Sequence, residues 1–86
     1  MKLTKEELSA LKEYSAGKVP WRVIEKIPLK RFAKDEPPSI MLEFGGTYIA
    51  KTALDGESVW AVISKRKGKL YYGTYADSLR SLLAGL

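Results

Sequence analysis

Three glycine-containing dipeptides limit what this chain can fold into: Gly45-Gly46, Asp55-Gly56 and Lys67-Gly68. Each tolerates the positive φ of a two-residue hairpin turn, and each lies between short runs suited to strands. Ile40, Leu42 and Phe44 alternate with Ser39, Met41 and Glu43, the period of a half-buried strand. Thr47 to Ala53 is the return strand. A tight turn at Gly45-Gly46 places Leu42 opposite Ile49 and Phe44 opposite Thr47. Ser58 to Lys65, rich in Val, Ile and Trp, is the third strand, and Leu70 to Tyr75 the fourth.

Helical signals flank this meander. Thr4 is placed to cap a helix, Glu7 completes a capping box, and Leu3 and Leu8 occupy the positions of a hydrophobic staple. Leu8 and Leu11 mark the apolar face, with Ala10 and Tyr14 near its edges, and Gly17 is a natural stop. The pattern predicts a helix over 5–16. Asp77 or Ser78 caps a short final helix carrying Leu79, Leu82 and Leu83. Between Pro20 and Pro28, the spacing of Trp21, Val23 and Ile27 suits a strand. Trp21, Ile24 and Ile27, three apart, suit a short helix, which would complete a helix-turn-helix. The β-branched content favours the strand. Residues 30–38, ending in Pro37-Pro38, read as a loop. The expectation is one α+β domain over residues 1–86. Its elements are an N-terminal helix, a strand, a four-strand antiparallel meander and a short C-terminal helix, with both helices packed on one sheet face. The other face is expected to be partly polar through Glu43, Tyr48, Thr52 and Tyr72.

What is missing narrows the chemistry. A chain of 86 residues buries only about 60–65% of its unfolded surface, so few core residues can be spared for a buried active site. Cys, His, Asn and Gln are absent. Disulfides, thiolate chemistry and the usual zinc, copper and iron sites therefore cannot be built, and serine–histidine and cysteine–histidine catalysis are excluded. Asp35-Glu36 is a neighbouring carboxylate pair in a Pro-rich loop. Asp55 and Glu57 flank a turn whose geometry already accounts for Asp55. No enzyme, metal or cofactor is expected. No apolar run reaches the roughly 18–20 residues of a membrane span. Met1 to Glu6 lacks the apolar stretch of a signal peptide, so a cytoplasmic location is expected.

The net charge is +5 and the pI about 9.5, a balance that attracts polyanions. Lys65, Arg66, Lys67 and Lys69 surround Gly68 at one hairpin tip, with Tyr71 and Tyr72 behind them. A second group comprises Arg22, Lys26, Lys30, Arg31 and Lys34. A nucleic-acid reading, DNA or RNA, assigns phosphates to Arg22, Lys30, Arg31, Lys34, Lys65, Arg66, Lys67 and Lys69, and base stacking to Tyr71 and Tyr72. The plainer account is that such charges keep a tip and a loop solvated. Trp60, among Val59, Ala61, Val62 and Ile63, reads as core.

A short meander leads into a tyrosine-rich strand and amphipathic helix, Leu70-Tyr71-Tyr72-Gly73-Thr74-Tyr75-Ala76-Asp77-Ser78-Leu79-Arg80-Ser81-Leu82-Leu83. Over residues 39–86 the chain thereby resembles small orphan proteins of bacteriophages and other mobile elements. The resemblance implies binding, to nucleic acid or to a host protein, and carries no site residues over. In the protein-binding version the chain is an inhibitor or adaptor that uses an exposed sheet face or strand edge. An open edge would also let two chains pair as a dimer.

The missing Asn, Gln and Cys match the depletion of heat-labile residues in thermophile proteins. Chance in a short chain is the plainer account; a thermophilic source predicts a melting temperature above the mesophile range of about 45–65 °C. Calorimetry checks this, and a midpoint inside that range counts against a thermophilic source.

Overall fold

The computed structural model describes residues 3–32 and 37–86. Its elements are α1 (Lys5–Ser15), β1 (Trp21–Val23), a single 3-10 turn (Leu29–Arg31), β2 (Ile40–Phe44), β3 (Thr47–Leu54), β4 (Glu57–Arg66), β5 (Lys69–Ala76) and α2 (Leu79–Ala84). The strands form a five-stranded sheet in the order β1-β2-β3-β4-β5, with every neighbouring pair antiparallel. Leu42 faces Ile49 and Phe44 faces Thr47, the register a two-residue turn imposes. Among the described residues no helix is long and apolar enough to cross a membrane.

The stretch between the two prolines resolves as a strand that stops early. Trp21 pairs with Phe44 and Val23 with Leu42, so a second helix is absent here and no helix-turn-helix forms. Strand β1 is the fifth strand of the sheet. The Ile24 N–H still donates to the Met41 carbonyl at 2.8 Å, and the chain then leaves the sheet. It runs as a strap across the face opposite the helices, packing Ile24, Ile27 and Phe32 against Met41, Ala50, Ile63 and Leu70. Phe32 reaches the far edge, where it forms an isolated parallel bridge with Leu70 of β5. This second apolar cluster departs from the expectation of a partly polar, uncovered face. Thr52, expected on open surface, is 6% exposed. The cause is the alternation itself. Met41, Ala50 and Ile63 point away from the helices and need cover of their own.

The helix side holds the larger core. Ala10 and Leu11 of α1 and Leu79, Leu82 and Leu83 of α2 pack on Ile40, Leu42, Phe44, Ile49 and Trp60. The two helices are linked by Arg80, which donates from Nε to Glu6 at 2.9 Å and from Nη1 to Glu13. Helix α1 ends at Ser15. Ala16 takes the left-handed conformation expected of Gly17, at φ 47°, and Gly17 follows at φ 71°. Gly45 is fixed twice over. Its φ is +56°, and a Cβ there would stand 2.9 Å from Val19 Cγ1.

One polar group is buried in the helix–sheet seam. Glu7 closes the capping box, its Oε1 accepting from the Thr4 N–H at 2.9 Å and its N–H donating to Thr4 Oγ1 at 3.1 Å. Its other oxygen accepts from Lys51 Nζ at 2.9 Å and from the Trp60 indole Nε1 at 3.1 Å. The residue is 7% exposed. Burial pushes the carboxyl up. The Thr4 N–H, the Lys51 and Trp60 hydrogen bonds and the Lys51 charge outweigh burial and hold it below the ordinary value.

Glu7→Ala leaves the Trp60 indole and Lys51 without their acceptor and removes half the capping box. The expected cost is about 2–4 kcal/mol in urea unfolding. Glu7→Gln keeps the box and is expected to cost roughly half as much. Because the folded carboxyl is lowered, its contribution is complete above the unfolded value of about 4.3 and fades as pH falls through the lower folded value. Wild type should therefore lose stability below about pH 4.3 faster than Glu7→Gln does. Parallel acid titrations in which the two proteins lose stability equally below that pH would sink this assignment.

Candidate functional site

Strand direction sorts the turns by end. The Gly45-Gly46 and Lys67-Gly68 turns lie at one end of the sheet and Asp55-Gly56 at the other. Pairing sorts the side chains by face. Arg22, Glu43 and Tyr48 are cross-strand neighbours on the strap side, and Lys65 shares that side with Leu70 and Tyr72.

Between strap and sheet, at the Gly45-Gly46 end, is a cleft of about 440 Å³. Arg22 reaches it from β1, Lys26, Pro28 and Arg31 from the strap, Tyr48 from β3 and Lys65 from β4. Ile24, Met41, Ile63 and Leu70 supply its apolar lining. Four of its lining residues are cationic and none is anionic. The nearest carboxylate by register is Glu43, whose Oε1 accepts from Arg22 Nε at 2.8 Å. That ion pair is open to water, so it adds little stability. It does hold the Arg22 guanidinium at the cleft mouth.

The Phe32–Leu70 bridge sets the 3-10 turn beside the start of β5, so Lys30 and Arg31 join the neighbourhood of Lys69. Residues about 35 positions apart along the chain thus converge on one end of the molecule. Eight cations gather there, Arg22, Lys26, Lys30, Arg31, Lys65, Arg66, Lys67 and Lys69, out of 15 Lys and Arg in the chain. Among the described acidic residues, Glu6, Glu7 and Glu13 are on α1, Asp55 and Glu57 at the opposite turn, and Asp77 before α2, while Glu25 lies on the strap and Glu43 on β2.

The sequence-predicted residues divide. Arg22, Arg31 and Lys65 line the cleft, and Lys30 adjoins it. Lys34 lies outside the described residues, as do Asp35 and Glu36. Arg66 and Lys69 pair on the other side of the β4–β5 ribbon, where the Arg66 guanidinium sits 5.0 Å from the centroid of the Tyr71 ring. Tyr71 and Tyr72 cannot serve as adjacent platforms, since consecutive strand residues face opposite sides. Tyr72 stacks on Phe32 with centroids 5.3 Å apart and belongs to the second apolar cluster. Lys26 and Tyr48 are additions. The basic grouping already contained Lys26, but the position of Tyr48 depends on a strap that no local pattern announces.

No protein-family model, curated protein or solved structure matches this chain.

Lys67 takes the left-handed conformation at the β4–β5 turn, as Asp55 does at the β3–β4 turn. Its φ is 51° ahead of Gly68 at 80°, the two-residue turn that prefers Asn or Asp first. A lysine in the left-handed region is strained by about 1 kcal/mol. Lys67→Asn is expected to raise stability by about 0.5–1 kcal/mol, read as a higher melting temperature. An unchanged or lower midpoint would show that the turn carries no such strain.

Proposed function

We propose that this protein is a non-enzymatic nucleic-acid-binding module whose interface is the strap-side cleft together with the adjoining β4–β5 tip. The observation that carries the proposal is the meeting of Arg22, Lys26, Arg31 and Lys65, from three separate elements, around one cleft beside a basic hairpin tip. Lysines and arginines so grouped displace the counterions condensed on a phosphate chain, and the released ions supply the affinity. Arg66 stacked on Tyr71 and the open ring of Tyr48 add surfaces against which bases can lie.

A protein-binding inhibitor or adaptor is served less well by the same features. The strap covers much of the sheet face it would use. Strand β1 has only three residues. Strand β5 carries a bulge, with Thr74 at φ 50° lying between Gly73, which pairs with Val62, and Tyr75, which pairs with Ala61. Short and bulged edges resist pairing with another chain.

Fluorescence anisotropy with labelled single-stranded DNA, RNA and duplex DNA, begun at low salt, tests the proposal. The logarithm of the binding constant should fall linearly with the logarithm of salt concentration. The slope for a single strand should lie between about −3, for the cleft cations alone, and about −6, when the tip and Lys30 join. Lys65→Glu and Arg31→Glu should each weaken binding across all sequences. Absence of binding to all three probes at low salt overturns the proposal.

A further inference from the structure

The cleft is built for something other than a bare row of phosphates. Phosphate tracking needs cations on an exposed surface, and the β4–β5 tip already supplies them. Here the cations instead ring a recess of about 440 Å³, inside the roughly 300–1,000 Å³ range of small-ligand pockets. Its floor is apolar, formed by Met41, Ile63 and Leu70, and the Tyr48 ring stands at its wall. Cationic side chains over an apolar recess match a ligand that is anionic outside and flat and apolar inside. A duplex keeps its base rings stacked and paired, and offers such a recess only phosphates and groove edges. An unpaired nucleotide offers both parts, with its phosphates on the rim and its ring in the recess.

Resting on the nucleic-acid reading above, we infer that the cleft takes an unpaired base and that the protein therefore selects single-stranded over duplex nucleic acid. Tyr48 is the stacking face. Its neighbour across the β2–β3 ladder is Glu43, which also pairs with Arg22, so the sheet sets ring and guanidinium on either side of Glu43 on one face. Arg22, Lys26, Arg31 and Lys65 take the flanking phosphates.

The test compares three probes of equal length, on the order of ten nucleotides, within the usual single-strand site sizes of about 4–16. They are a single-stranded oligonucleotide, its duplex, and an oligomer built wholly of abasic nucleotides, which keeps every phosphate and has no base. The single strand should bind more tightly than the abasic oligomer by about five- to a hundred-fold, the worth of one stacked base, and more tightly than the duplex. Tyr48→Ala should weaken single-strand binding by a similar factor and leave the salt slope unchanged. Arg31→Ala should reduce the slope by about 0.7. The abasic probe needs no variant, so a poorly folded mutant cannot obscure the outcome. Equal binding of all three probes overturns the unpaired-base inference and leaves the nucleic-acid reading standing. Failure of every oligonucleotide to bind, with or without capture on phosphatidylserine vesicles, overturns both.

Discussion

A single carboxylate ties the first helix to the sheet, and the layout of the molecule follows from that tie. Glu7 accepts from its own cap, from the Trp60 indole and from Lys51, on β4 and β3. Three donors on one buried acid leave helix α1 little freedom to slide or roll on the strands, because any shift would strand a polar group away from water. Once α1 is placed, Arg80 and the leucines of α2 close the same face beside it. The helices therefore cover the central part of one side of the sheet. Any further covering of the sheet has to come from the chain between β1 and β2.

That chain does two jobs with one path. Its apolar residues, Ile24, Ile27 and Phe32, roof the second face. Its charged residues cannot follow them inward, since an unpaired buried charge is costly. Lys26, Lys30 and Arg31 are left along the strap, over the sheet end that also carries Arg22 and Lys65. The gathering of positive charge is in this sense a consequence of how the second core is covered. Repulsion among these cations has a cost that is offset, among the described residues, by the Arg22–Glu43 pair, and a polyanion would relieve it further.

The meander was legible because its signals are local. Two-residue turns fix register, and alternation then assigns each side chain a face, so Leu42–Ile49 and Phe44–Thr47 could be read directly from residue types. Thr4, Glu7 and Ser78 announced their caps for the same reason. The second role of Glu7, as partner of Trp60, was not readable, because it joins residues 53 positions apart. The strap was illegible on similar grounds. Trp21 to Ile27 fits a longer strand equally well by pattern, and only the need to cover Met41, Ala50 and Ile63 turns it out of the sheet after Val23. The basic residues of the site could be named from charge alone. Their convergence, and the burial of Tyr72 against Phe32, required the tertiary path.

The two kinds of cation at this end of the molecule differ in what they touch. Arg22 is held by Glu43, and Arg66 lies over Tyr71. Each planar guanidinium thus has a neighbour on the protein, Glu43 at the cleft mouth for Arg22 and the Tyr71 ring on the opposite sheet face for Arg66. A group already ordered loses little entropy on binding, and a fork of five N–H donors suits a phosphate at a defined position. Lys26, Lys30, Lys65, Lys67 and Lys69 are long, flexible and strongly hydrated, so they add attraction without a fixed geometry. An interface with two anchored arginines among mobile lysines would take its register on a strand from the arginines and its salt dependence from the lysines. Because Arg22 lies on the strap face of the sheet and Arg66 on the opposite face, a chain touching both has to pass from one face to the other. A flexible single strand can make that bend, whereas a stiff duplex resists it over so short a distance.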